Sequence, residues 1–154
     1  KQDPPDLVFA PSTLNKREVI PQGFINQWIA LDGYTHIFGI RDNPRTKEPV
    51  PECIERVEDV SECSVARDEA LSKVAPWDNT TGIPDNVYFA DLSDYFCDEE
   101  RCYSVIGNII VYRDDNHITT EYMKTLAPML KIPLQEAFDL LDSGTFEQHR
   151  TPSS

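Results

Sequence analysis

Short apolar runs that alternate with amphipathic stretches constrain this chain more than any other feature. Asp6-Leu7-Val8-Phe9-Ala10 follows two prolines and predicts a buried strand. Pro21 then opens a helical stretch in which Phe24, Trp28 and Leu31 fall at i, i+4 and i+7, and Gly33 closes it. His36-Ile37-Phe38-Gly39-Ile40 predicts a second strand, Asn86 to Leu92 a third, and Ile109-Ile110-Val111-Tyr112 a fourth. A helix is expected from Ser64 to about Ala75, with Ser64 as cap and Leu71 and Val74 facing inward. Thr119 or Thr120 caps another, on which Tyr122, Leu126 and Met129 share a face. Pro133 starts a last helix, with Leu134, Ala137, Phe138 and Leu141 on one stripe and Gly144 ending it. Strands alternating with helices predict an α/β three-layer sandwich with a mainly parallel sheet, one domain over 1–144 followed by a polar tail over 145–154. In such sheets ligands collect at the carboxyl ends of the strands.

Charge narrows the partners. The net charge of −13 repels duplex DNA and anionic lipid, so no nucleic acid is expected. No apolar run approaches the ~20 residues needed to cross a bilayer. The four cysteines form two close pairs, Cys53/Cys63 and Cys97/Cys102. Two small disulfide loops suit this spacing, although four cysteines allow about three connectivities. Zinc and unpaired buried thiols are the alternatives; zinc favours tighter C-x2-4-C spacing and often histidine. Disulfides would place the domain outside the cytoplasm. The irregular stretch from Arg41 to about Ser61 exceeds the usual connection length, which signals a functional or stapled loop.

Two loops sit at predicted strand ends: Arg41-Asp42-Asn43-Pro44-Arg45 and Arg113-Asp114-Asp115-Asn116-His117. Asp114 and His117 form D-x-x-H, a spacing that lets a turn fold the carboxylate back onto the imidazole. A carboxylate on one ring nitrogen fixes the tautomer and leaves the other nitrogen as a base. On spacing alone, the plain alternative is a surface turn in which both residues cap a helix start. Arg41, Asp42 and Asn43 are candidate substrate-binding residues, with pairing to neighbouring acids as the alternative for the arginines. Trp77, between Pro76 and Asp78, is a candidate for sugar stacking, whereas Trp28 lies on an apolar stripe. His36 reads as a strand-end residue and His149 as a solvated tail residue. Asn79-Thr80-Thr81 is a glycosylation-type triplet, read as loop chemistry.

The run Asp91-Leu92-Ser93-Asp94-Tyr95-Phe96-Cys97, then Cys102, Ile106-Gly107-Asn108 and Val111 through Thr119, resembles one family. It is similar to the final part of the SGNH-hydrolase-like domain fused behind the membrane acyltransferase family three, in the form its actinobacterial members take. Arg41 to Arg45, with Pro51-Glu52-Cys53 and Cys63, is similar to the preceding segment of that family, so the resemblance runs from about Asp6 to Leu130. It implies a flavodoxin-like fold and an extracytoplasmic O-acyltransferase or esterase. In that family a membrane-embedded half delivers an acyl group, usually acetyl, and the SGNH half passes it through a serine ester to a hydroxyl of an envelope glycan or glycolipid. Asp114 and His117 match the triad acid and base, and the cysteine pairs match two short disulfide loops, Cys53–Cys63 and Cys97–Cys102. No cofactor or metal is implied.

The departures carry equal weight. The family's nucleophile lies in a Gly-Asp-Ser block, and no such tripeptide occurs here. The segment Pro11-Ser12-Thr13-Leu14-Asn15 lacks the Gly-x-Asn-Asp pattern that supplies an oxyanion donor, so neither Ser12 nor Asn15 is assigned a catalytic role. The expectation is a domain incomplete on its amino-terminal side, whose upstream segment carries the serine and whose sheet is left with an open edge. Two other readings compete with it: a non-catalytic glycan- or protein-binding module, and a small esterase with an unrecognised serine.

Overall fold

In a computed structural model, which describes residues 3–146, the chain runs β1 (Leu7–Pro11), α1 (Gln22–Leu31), β2 (His36–Ile40), α2 (Val50–Ile54), β3 (Val65–Ala66), α3 (Arg67–Ala70), β4 (Val87–Ala90), β5 (Arg101–Cys102), β6 (Val105–Ile106), β7 (Ile109–Ile110) and α4 (Thr120–Ser143). β1, β2 and β4 form a parallel sheet in that order, with Val8 opposite Ile37 and Ile37 opposite Val87. Side chains alternate across a strand with period two, so each strand feeds both faces. On one face Ile37 and Val87 pack with Ile25 and Trp28 of α1. On the other, Phe38 and Ala90 pack with Ala137 of α4 and with Phe146. Helix, sheet and helix make the three layers expected, and burial on both faces explains why β2 and β4 read as unbroken apolar runs; β1, expected to be buried, is an edge strand with Phe9 52% exposed. Gly39 is required by this packing: a Cβ there would sit 2.9 Å from the Phe89 ring.

A third cluster lies beyond the sheet. Val65, Phe96, Val111, Tyr112, Tyr122 and Leu126 gather the chain between β2 and the first half of α4. The Cys97–Cys102 disulfide belongs to it and closes a tight hairpin, while Cys53–Cys63 ties α2 to a 3-10 turn over Val60–Cys63. With separations of 10 and 5 residues, each loop contributes on the order of 2–3 kcal/mol by restricting the unfolded chain.

Several local expectations change. Ile109–Ile110 does not extend the parallel sheet; it pairs antiparallel with Val105–Ile106. Gly107 and Asn108 have φ of 56° and 63°, and two successive left-handed residues make the two-residue turn that folds the chain straight back. The helix expected over 64–75 shrinks to Arg67–Ala70, because Val65–Ala66 is drawn into a ladder with Arg101–Cys102. Ser64 instead ends the preceding 3-10 turn; Leu71 is buried as expected, but Val74 is 44% exposed. In α1 the buried stripe is Ile25 and Trp28, while Leu31 is exposed.

The two carboxyl-terminal helices are one. α4 is capped by Thr119, whose hydroxyl accepts the Tyr122 amide, and it passes through Pro128 and Pro133 before Gly144 ends it in the left-handed region. An interior proline costs about 3 kcal/mol. Here the helix packs at both ends, Tyr122 and Leu126 into the third cluster and Ala137 onto the sheet, which offsets that cost. Phe138, placed on the buried stripe by periodicity, is 40% exposed. The expected polar tail begins too early, since Phe146 is buried with its ring 4.5 Å from His36. His149 lies outside the described residues.

Candidate active site

The Asp114–His117 turn builds itself from local hydrogen bonds. One carboxylate oxygen of Asp114 accepts the amides of Asn116 at 3.0 Å and His117 at 2.7 Å, which curls the chain into a turn. The other oxygen lies 2.7 Å from His117 Nδ1. A carboxylate can only accept, so a neutral His117 carries its proton on Nδ1 and keeps Nε2 as the base. The imidazole is 60% exposed, and Nε2 has no hydrogen-bond partner among the described residues. The D-x-x-H spacing does fold the Asp114 carboxylate back onto the His117 imidazole.

The Asn116 amide, followed by that of His117, holds the Asp114 carboxyl down to about 2, with burial opposing and the imidazole assisting. A depressed folded value means that the turn is stabilised at every pH above the ordinary carboxyl value of ~3.9 and loses this support as pH falls through the folded value. A carbon-detected NMR titration of Asp114 is expected to show a midpoint near 2. A midpoint at the ordinary ~3.9 would mean that the amides do not hold the carboxylate.

The neighbouring loop brings the turn to the carboxyl edge of the sheet. Asn43, three residues beyond the end of β2, donates its side-chain amide to the Asn116 carbonyl at 3.2 Å. Asp42 accepts the amides of Asn43 and of Asn15, at 3.0 and 2.6 Å, linking the loops that follow β2 and β1. The segment 43–50 also holds the turn through Thr46 and Val50, which donate to the carbonyls of Asp115 and Asp114. Arg45 pairs with Asp115 at 3.2 Å. Thr46 and Val50 carry no chemical signature; only the unusual length of the loop and its cysteine staple pointed to this segment.

Arg41 stands apart from its neighbours. Its side chain is 6% exposed and spends its donors on Asp91 at 2.7 Å, on the carbonyl and hydroxyl of Ser72, and on the Val74 carbonyl. This guanidinium is a pin beneath the loop, both of its Nη atoms bonded within the fold. Trp77 stacks on Phe89 at 4.6 Å, so one of its faces is taken by the core. The Thr80 hydroxyl of the Asn79-Thr80-Thr81 triplet is likewise structural, accepting the Ile20 amide. Ser12 is fully buried, and no serine among the described residues is hydrogen-bonded to His117. A cleft of about 740 Å³ lies at the opposite edge of the sheet, lined by Asp6, Tyr34, His36 and Asp142. A smaller one of about 320 Å³ lies beside β1 and the Asp42–Asn43 loop, lined by Phe9, Pro11 and Ile40.

Among the described residues no helix is long and apolar enough to cross a membrane. No curated protein and no solved structure shows significant similarity to the chain. One family model does match, over residues 25–131, and it is described as the SGNH domain fused to AT3 domains. The match spans the β2 loop, both disulfides and the Asp114–His117 turn. Acyltransferase- or esterase-type chemistry is the activity that goes with such a domain. The parallel sheet, the layered helices and this matched span agree, and the chain belongs to the family of SGNH domains fused to AT3 domains.

Proposed function

We propose that residues 1–144 form the base-bearing part of an extracytoplasmic O-acyltransferase domain. It moves an acyl group, acetyl by class, through a serine ester to a hydroxyl of a cell-envelope glycan or glycolipid. The observation that carries this reading is the 2.7 Å contact between Asp114 and His117 Nδ1, which leaves Nε2 facing outward as a base. In the first half-reaction Nε2 takes the serine proton as the oxygen attacks the acyl carbonyl, and returns it to the leaving group. In the second it takes the proton of the acceptor hydroxyl as that oxygen attacks the ester, and returns it to the serine. Asp114 stabilises the imidazolium formed each time.

The serine belongs, on this reading, to an upstream segment of the same domain. Among the described residues no strand pairs with the outer edge of β1, Phe9 on it is 52% exposed, and the cleft beside it opens toward Asp42 and Asn43. A parallel strand added there would end next to the Asp42 and Asn43 loop. A membrane acyltransferase domain would deliver the acyl donor, which fits a location on the outer face of the cytoplasmic membrane and an oxidising compartment that keeps both disulfides.

A fluorophosphonate probe tests this. Residues 1–154 alone are expected to remain unlabelled, and the domain joined to its serine-bearing segment to be labelled at that serine. Labelling of the isolated chain would assign it a serine of its own and make it a complete small esterase. A joined domain that binds glycan but takes no label would be a recognition module.

A further inference from the structure

The hydrogen bonds inside the Asp114–His117 turn fix its shape, and the Tyr112–Ile118 bridge fixes its base. Its tip is placed from outside: the carbonyls of Asp114, Asp115 and Asn116, three in succession, each accept a donor from the segment 43–50. Val50 N meets the first at 3.1 Å, Thr46 N and Oγ1 the second at 2.9 and 3.0 Å, and Asn43 Nδ2 the third at 3.2 Å. These donors are not equivalent. Val50 and Thr46 tie the turn to the stapled loop, and the Thr46 hydroxyl also lies 2.8 Å from the Glu48 carbonyl. The Arg45–Asp115 pair is 36% and 44% exposed, a setting in which ion pairs are weak. Of these donors, Asn43 is the one next to the residue that also ties down the loop after β1. Its backbone amide is held by Asp42, and the same carboxylate holds Asn15 in its left-handed conformation, φ 60°, just past the end of β1.

We infer that Asn43 is a positioning residue for His117: its side-chain amide sets where the preformed acid–base turn stands relative to the carboxyl ends of β1 and β2. The inference rests on the reading of Asp114 and His117 as the acid–base pair, and it moves Asn43 from touching substrate to placing the base. A general base must stand within hydrogen-bond reach of the proton it removes, and a displacement of about 1 Å can cost roughly 10²-fold in rate. Aspartate at this position has nearly the same shape but, once ionised, accepts only and would face the Asn116 carbonyl with a like partial charge.

The test uses the 154-residue chain and reads no turnover, so it stands or falls apart from the proposed activity. Backbone 15N relaxation is measured for Asn43→Asp and Asn43→Ala against the parent. Order parameters at Asn116 and His117 are expected to fall from about 0.85 to below about 0.6 in both variants. The Asp114 carboxyl midpoint should stay near 2, because the amides that hold it belong to the turn itself. Asn43→Gln, which keeps the donor on a longer arm, should restore much of the order. If Asn43→Ala fails to fold, the isosteric Asn43→Asp decides. Unchanged order parameters would overturn the inference. So would a loss of order accompanied by a rise of the Asp114 midpoint to ~3.9, which would mean that Asn43 holds the turn together rather than in place.

Discussion

Replacing His117 by alanine in the domain joined to the proposed serine-bearing segment is expected to lower kcat for acetyl-ester turnover by roughly 10⁴- to 10⁶-fold. That is the range seen when a triad loses its base, because the nucleophile and base act as one unit. Asp114→Asn should cost about 10⁴-fold by a different route. Its amide nitrogen can donate to Nδ1, which drives the ring proton to Nε2 and leaves no base facing the serine. The two losses should not add in the double variant, since the carboxylate acts only through the imidazole. Turnover of a chromogenic acetyl ester across the four proteins measures all of this. Rates indifferent to His117→Ala would remove His117 from the mechanism, and a fully additive double variant would remove Asp114 from His117.

Much of this site is local in sequence, which is why it was legible there. D-x-x-H closes through hydrogen bonds spanning only two or three residues, so spacing nearly dictates geometry. The disulfide pairs are equally local, and both form between the cysteines nearest in sequence. The strands β2 and β4 were legible because burial on two faces leaves no polar alternation. What failed was set by distant partners or by turn chemistry that outranked composition. The Ile109–Ile110 run is as apolar as a parallel strand, yet the two left-handed residues before it decide that it belongs to a hairpin. Gly107-Asn108 was the available signal. Pro133 resembles a helix start, and only packing at both ends of α4 shows that the helix runs through it. Arg41 beside Asp42 and Asn43 resembles part of a binding loop, but its partners lie 31 to 50 residues away, at Ser72 and Asp91.

Arg41→Met is expected to destabilise the fold by about 3 kcal/mol, with a fall in Tm of roughly 6–12 °C for a chain of this size. The change removes the guanidinium from Asp91, from the Ser72 carbonyl and hydroxyl and from the Val74 carbonyl, while methionine fills much of the space. The loss sits at the low end of the range for broken buried pairs because the Asp91 side chain keeps 33% exposure and water can reclaim it. Lysine is no substitute, since a single ammonium cannot span carboxylate, hydroxyl and carbonyls as a planar fork does. The pH dependence follows from Asp91. Burial would raise its carboxyl, but hydrogen bonds from Ser93 and the Arg41 guanidinium outweigh burial and hold it below the ordinary range. Its contribution is therefore complete above the unfolded value of ~3.9 and disappears as pH drops through the lower folded one. The parent's advantage over Arg41→Met should accordingly be full at pH 7 and narrow only in strong acid. Thermal melts of both proteins from pH 7 down to pH 2 measure this. A melting point that does not move, with glycan affinity lost instead, would return Arg41 to the binding surface.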